Sequence, residues 1–270
     1  MDKALALLQH TVFSFSMRVC NQREDAEDTM QEVLVKSVSV LPKFESPKAL
    51  VVWLYKVAKN RCLMSRRKSK FAPKHELSLE ELMPDHSELA KLSDKGMLNP
   101  EAFAIRSQEA IWLRAAIQKL PPQYRIVLVL RDMEGLSDDE VAEITGLRPG
   151  TVRVRLHRAR LFVRKELMKR LSPGNGERRN VPAAKLPELR PQRCKAMFAE
   201  LSNYLDERLD DSLCEELEKH MEGCEPCKAF LASLQATIEQ CREMPPDAPN
   251  RTTATALRQQ ILASYQQLTT

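Results

Sequence analysis

Glycine and aromatic side chains are scarce in this sequence, with 7 glycines and 5% aromatics in 270 residues. With so few of either, strands have little support anywhere in the chain. Leu, Ala, Glu, Arg and Lys recur instead at helical spacing, which predicts an all-α protein. Apolar runs near the roughly 20 residues needed to cross a bilayer are also lacking. The longest candidate, Ala49 to Ala58, already contains Lys56. Met1-Asp2-Lys3 is followed by no signal-peptide pattern. These absences predict a cytoplasmic protein with no membrane contact. There, seven cysteines are expected to be free, metal-bound or redox-sensing rather than tied in structural disulfides. Cys20 and Cys62 fall in apolar helical segments and read as small buried hydrophobes.

Charge is mild in total, +5, but unevenly placed. Arg61, Arg66, Arg67, Lys68 and Lys70 form one basic cluster, and Arg153, Arg155, His157, Arg158 and Arg160 form another. Such clusters suit phosphate backbones, although a solvated helix face has the same composition.

Breakers divide the chain. A helical domain is expected over 1–69, then a linker over 70–100 interrupted by Pro73, Pro84, Gly96 and Pro100. A second helical domain over 101–171 ends at Ser172-Pro173-Gly174-Asn175-Gly176. A basic tether, 172–192, leads to a small third unit, 193–243, and a tail, 244–270, carries one short helix from Ala254 to Leu268.

The segment Leu136 to Lys165 is the most informative. Ser137 with Glu140 three residues later is a capping box that starts a helix at Asp138, with Val141, Ala142 and Ile144 facing inward. Gly146 supplies a tight turn, and Pro149 opens a second helix lined by Val152, Leu156, Ala159 and Val163. Two short helices joined this way form a helix-turn-helix. Arg153, His157 and Arg160 lie away from the apolar stripe, with Thr151, Arg155 and Arg158 on its flanks. A recognition helix in the major groove requires that arrangement of packed back and cationic front.

The run Leu120-Pro121-Pro122-Gln123-Tyr124-Arg125, through Val127 to Asp132 and Glu134-Gly135-Leu136-Ser137, resembles region 4 of extracytoplasmic-function sigma factors. Glu140 to Ile144, Gly150-Thr151-Val152 and Arg155 to Arg160 are similar to that family as well. The chain departs from the family pattern at Arg148, Val154 and, further upstream, Met64. Asp25-Ala26-Glu27-Asp28 with Gln31-Glu32-Val33, and Trp53 to Arg61, resemble its region 2. The resemblance implies two helical sigma domains, a region 2 bundle and a region 4 helix-turn-helix. It also implies that Asp25, Asp28, Gln31 and Glu32 bind core RNA polymerase and that the region 4 helix reads the upstream promoter element. The loop near Phe44 to Lys48 and the helix from Leu50 would open the downstream element. Strand opening needs a cationic groove and a pocket for an extruded base, which Asn60, Arg61, Arg66, Arg67 and Lys68 could supply. Trp53, among Leu50, Leu54 and Val57, reads as core.

His220-Met221-Glu222-Gly223-Cys224-Glu225-Pro226-Cys227 is an H-x-x-x-C-x-x-C motif. His220 and Cys224 fall one helical turn apart and Pro226 bends the chain to return Cys227, a spacing suited to one zinc ion. Cys194 is the expected fourth ligand and Cys214 the alternative. The arrangement resembles the zinc-binding domain of anti-sigma factors, here a small helical module in cis. The reading is therefore a non-enzymatic alternative sigma factor whose partners are core polymerase, promoter DNA and an intramolecular or separate anti-sigma contact. A helix-turn-helix regulator acting without polymerase is the alternative, and it leaves the Asp25 to Glu32 helix without a role. A thiol- or zinc-dependent enzyme would need an open metal position, which three Cys and one His do not leave.

Overall fold

The computed structural model describes residues 2–40, 44–67, 76–84, 106–171 and 191–269. Its described residues are helical, with no strand among them, and no described helix is long and apolar enough to cross a membrane. The helices are α1 (Asp2–Cys20), α2 (Arg23–Val40), α3 (Pro47–Arg67), α4 (Leu79–Leu82), α5 (Arg106–Lys119) and α6 (Pro122–Leu128). A π-helical turn, Val129–Met133, continues α6 and is followed by α7 (Asp138–Thr145) and α8 (Pro149–Leu171). Beyond come α9 (Pro191–Leu205), α10 (Asp211–Glu222), α11 (Glu225–Glu243) and α12 (Arg251–Thr269).

The chain forms two compact units whose borders differ from the sequence-derived domains. One comprises 1–75, 118–156 and 242–270, and the other 76–117 and 157–241. Helix α8 thus gives its residues up to Leu156 to the first unit and those from His157 to the second.

In the first unit α1, α2 and α3 pack on one another around Val12, Phe13, Phe15, Met30, Val33, Leu34 and Leu54, all nearly inaccessible to solvent. Phe15 meets Tyr55 edge to face at 5.0 Å, and Trp53 packs against Phe44 at 5.8 Å. Helix α6 and the π turn lie against α1, and α7 lies against α3. The tail helix α12, longer at both ends than the periodicity predicts, covers α1 and α2 with Ala254, Leu257 and Ile261. Polar contacts fix that cover. Gln9 Nε2 donates to the Ala254 carbonyl at 2.8 Å, Arg18 Nη2 to the Met244 carbonyl at 2.9 Å, and the Asp247 amide to Ser14 Oγ at 3.2 Å.

Cys20 and Cys62 are buried as expected, but they are bonded to each other, with their Cα atoms 5.6 Å apart. They are therefore not the separate hydrophobic thiols that the sequence suggests. Helical periodicity places each cysteine inward without indicating that the two meet.

The second unit has its own core. Leu161 of α8, Phe198 and Leu201 of α9, Leu217 of α10, and Phe230, Leu234 and Ile238 of α11 share it with Leu82 of α4. Phe198 and Phe230 meet in a tilted ring contact at 4.6 Å. At about 25 cal/mol per Å² of apolar surface, residues of this size contribute roughly 1.5–3 kcal/mol each.

Candidate nucleic-acid interface and metal centre

Local chemistry builds the helix-turn-helix as the sequence indicates. The Glu140 amide donates to Ser137 Oγ, and the Glu140 carboxylate accepts from both the Ser137 amide at 2.7 Å and its hydroxyl at 2.6 Å. Those donors, with Lys48 at 3.2 Å, hold the Glu140 carboxyl below its ordinary pKa. Gly146 takes a left-handed φ of 74°, and its amide closes α7 on the Ala142 carbonyl at 2.8 Å. Pro149 occupies the first position of α8. Val152, Leu156, Ala159 and Val163 are all buried.

The expected cationic front divides into two parts. Thr151 and Arg153 are exposed, and Arg155 and Arg158 are half-buried. His157 and Arg160 are buried, so in this conformation they are not part of a front open to DNA. Arg160 is 1% exposed, and its guanidinium grips the carboxylate of Asp206, the residue just after α9, through two bonds of 2.9 and 3.0 Å, with Ser202 Oγ of α9 at 3.3 Å. One turn on, Arg164 donates to Ser233 Oγ at 2.6 Å and lies 3.7 Å above the Phe230 ring. Nothing in the sequence distinguishes Asp206, Ser202, Ser233, Phe230 and Arg164 from ordinary helix residues. No local signal marks them, because the partners are 42 to 69 residues apart.

Neither ring nitrogen of His157 has a hydrogen-bond partner. Burial first, and then the Arg160 and Arg158 charges, push its pKa from 6.5 down to about 4. The folded state therefore binds fewer protons at His157 than the unfolded chain. Stability from this residue is complete above pH 6.5 and is lost as pH falls toward 4, by about 3 kcal/mol at most. Urea unfolding at pH 7 and pH 4.5 is expected to show a smaller acid loss for His157→Gln than for the natural chain. Equal losses would refute the placement.

In the first unit Asp28 and Gln31 are exposed on α2, while Asp25 and Glu32 are half-buried. Glu32 is shared by Lys36 at 2.6 Å and Arg61 of α3 at 2.8 Å. The Lys36 hydrogen bond lowers its pKa, desolvation opposes that shift, and the Arg61 and Lys36 charges add to the lowering. Asp28, Gln31, Glu32, Val35, Lys36 and Arg61 line a surface groove of about 360 Å³, in which Val35 is 49% exposed. Arg61 thus binds the acidic helix. Asn60 is exposed. Arg66 and Arg67 end α3, but their side chains lie outside the described residues, as does all of Lys68.

The metal triad lies across the α10–α11 junction. Asp210 caps α10 by accepting from the Leu213 amide at 3.0 Å. Helix α10 ends at Gly223, and the Cys227 amide returns to the Cys224 carbonyl at 3.1 Å. The ligand atoms of His220, Cys224 and Cys227 all lie within 4.8 Å of one another, and His220 Nε2 is 3.3 Å from Cys227 Sγ. Tetrahedral zinc with bonds of about 2.1 and 2.3 Å would separate its ligand atoms by roughly 3.6 Å, so the triad fits the ion. Cys214 is outside this group. Cys194 falls in the first turn of α9, with its side chain outside the described residues.

Comparison with known proteins gives the same order of parts. The Sigma-70 region 2 model matches residues 6–71, the Sigma-70 region 4 model residues 110–163, and a zinc-finger family model residues 194–228. The chain is similar to the ECF RNA polymerase sigma factor SigE of Mycolicibacterium smegmatis, at 32% identity over 60% of this chain and 59% of that protein. It is similar to the RNA polymerase sigma-H factor of Pseudomonas aeruginosa at 29% identity, over 62% of this chain and 85% of that one. The ECF RNA polymerase sigma-E factor of Escherichia coli matches at 30% identity, over 59% of this chain and 84% of its own length. Since a sigma factor is matched across most of its length by the segment that carries both sigma-70 regions in order, this chain belongs to the extracytoplasmic-function family of RNA polymerase sigma factors.

Proposed function

We propose that this chain is an alternative sigma factor that brings core RNA polymerase to a subset of promoters from the cytoplasm, and that its own C-terminal module withholds the region 4 helix. It carries out no bond chemistry; polymerase makes the RNA. Thr151, Arg153, Arg155 and Arg158 read the upstream element, and Asn60, Arg61, Arg66, Arg67 and Lys68 handle the opened strand. Asp25, Asp28, Gln31 and Glu32 present the polymerase face. The observation that carries the reading is the capped helix-turn-helix whose second helix exposes Thr151 and Arg153 at its start while Arg160, two turns later, is bound by Asp206. Short polar and cationic residues at the N-terminus of a recognition helix are what base edges meet in a major groove. Arg160 and His157 would join them only after release.

The module is braced by one zinc ion held by His220, Cys224, Cys227 and Cys194. Four ligands close the tetrahedron, so the ion supplies a cross-link between α9, α10 and α11. The zinc-finger match that begins at residue 194 supports the fourth ligand.

Promoter-dependent run-off transcription with core polymerase tests the function. The full chain is expected to yield a specific product. Arg153→Ala should lower that product roughly tenfold, as loss of one base contact of about 1–3 kcal/mol would. No promoter-dependent product from the full chain or from Asp206→Ala would overturn the proposal.

A further inference from the structure

We propose that Cys20 and Cys62 are a reversible dithiol–disulfide site that sets how firmly the start of the helix-turn-helix is held on the N-terminal bundle. The inference goes beyond the sigma reading and can be tested without polymerase, so its failure would leave that reading standing.

Glu134 follows the π turn. One of its carboxylate oxygens accepts from Arg18 Nη1 of α1 at 2.7 Å, and the other from the Tyr55 hydroxyl of α3 at 2.6 Å. The carboxylate is therefore shared between two helices of the bundle. It is well held only while those helices keep their relative position. The same two helices make further hydrogen bonds to this part of the chain. Arg125 Nη1 donates to the Val19 carbonyl at 2.9 Å, Gln118 Nε2 to the Arg18 carbonyl at 3.3 Å, and Lys59 Nζ to the Ile144 carbonyl, near the end of α7, at 2.7 Å.

The sulfur bridge joins these helices at that place. Cys20 is the last residue of α1, two after Arg18 and one after Val19. Cys62 is three residues after Lys59 and seven after Tyr55, on the same helix. The Cα separation of 5.6 Å is in the range that a disulfide takes without moving the backbone. When the bridge is open, the ends of α1 and α3 are held by side-chain packing such as Phe15 on Tyr55. When it is closed, Arg18, Val19, Tyr55 and Lys59 become one platform for residues 118–144.

The oxidant is a small hydroperoxide, since both sulfurs are buried. Cys20, 5% exposed against 1% for Cys62, is the first to react. Its thiol loses a proton and the thiolate attacks a peroxide oxygen. The O–O bond breaks, leaving a sulfenic acid and one water. The Cys62 sulfur then attacks the Cys20 sulfur, the S–O bond breaks, and a second water departs with the thiol proton. Two thiols and one hydrogen peroxide become one disulfide and two waters. A dithiol reductant reverses the change by thiol–disulfide exchange.

The test uses the full-length protein, reduced with dithiothreitol or treated with hydrogen peroxide. Peptide mass mapping after alkylation in denaturant reads the bridge, and amide hydrogen exchange over Asp138–Thr145 reads the docking. Peroxide is expected to link the Cys20 and Cys62 peptides and to slow exchange in that helix roughly tenfold, as firmer docking would. Cys20→Ser should stay at the reduced rate under the same peroxide. Absence of the linked peptide overturns the proposal, as does a linked peptide with unchanged exchange. Equal slowing in Cys20→Ser, which would assign the effect to other cysteines, overturns it too.

Discussion

Asp206→Ala is expected to loosen the second unit and to strengthen promoter binding at the same time. Arg160 and Asp206 have side-chain exposures of 1% and 4%, so the pair is out of water. Removing one member of a buried pair leaves the other charge without compensation, at a cost of about 3–5 kcal/mol. Ser202 remains beside the guanidinium but carries no charge to replace the carboxylate. The free energy lost is differential, because it falls on the conformation in which the region 4 helix is engaged and not on the one that binds DNA. By linkage, the apparent promoter affinity of the full chain should rise by tenfold or more. Chemical denaturation and fluorescence titration of a promoter duplex measure the two effects. Lower stability with unchanged affinity would show that the ion pair braces the module without withholding the helix.

The double replacement Cys224→Ser, Cys227→Ser should have a still larger effect on the module. Zinc bound to such ligand sets contributes on the order of 10 kcal/mol near neutral pH, and that energy is folding energy. Cys227 is buried and belongs to the same core as Phe198, Leu201 and Phe230. Loss of the metal is therefore expected to loosen α9 and release Asp206 from Arg160. About one zinc per chain should fall to none, tryptic cleavage between Pro191 and Glu243 should accelerate, and promoter affinity should rise as for Asp206→Ala. Full metal retention in the double variant would refute the ligand assignment.

The parts of this molecule that were legible in the sequence are those decided within a few residues. Ser137 and Glu140 cap each other, Gly146 turns the chain, Pro149 starts a helix, and the His220, Cys224 and Cys227 spacing brings three donors together. Each is a local geometric rule. What stayed hidden depends on segments far apart in the chain. The stripe of Val152, Leu156, Ala159 and Val163 is one buried face of α8, but His157, Arg160 and Arg164 are buried too. Arg160 and Arg164 owe their partners to α9 and α11, which arrive 42 or more residues later. A lone arginine on a helix looks the same in sequence whether it faces phosphate or an aspartate from elsewhere. The Cys20–Cys62 bond is hidden for the same reason, since 42 residues separate two inward-facing positions.

The cover that α12 lays over α1 and α2, secured through Gln9, Ser14 and Arg18, has a consequence for synthesis. A ribosome delivers the N-terminal bundle and the helix-turn-helix well before it delivers residues 242–269. At about 5–20 residues per second, that delay is several seconds to some twenty. Newborn molecules thus pass through a period in which α1 and α2 are bare, and a polymerase encountered then would meet a bundle that α12 has not yet covered.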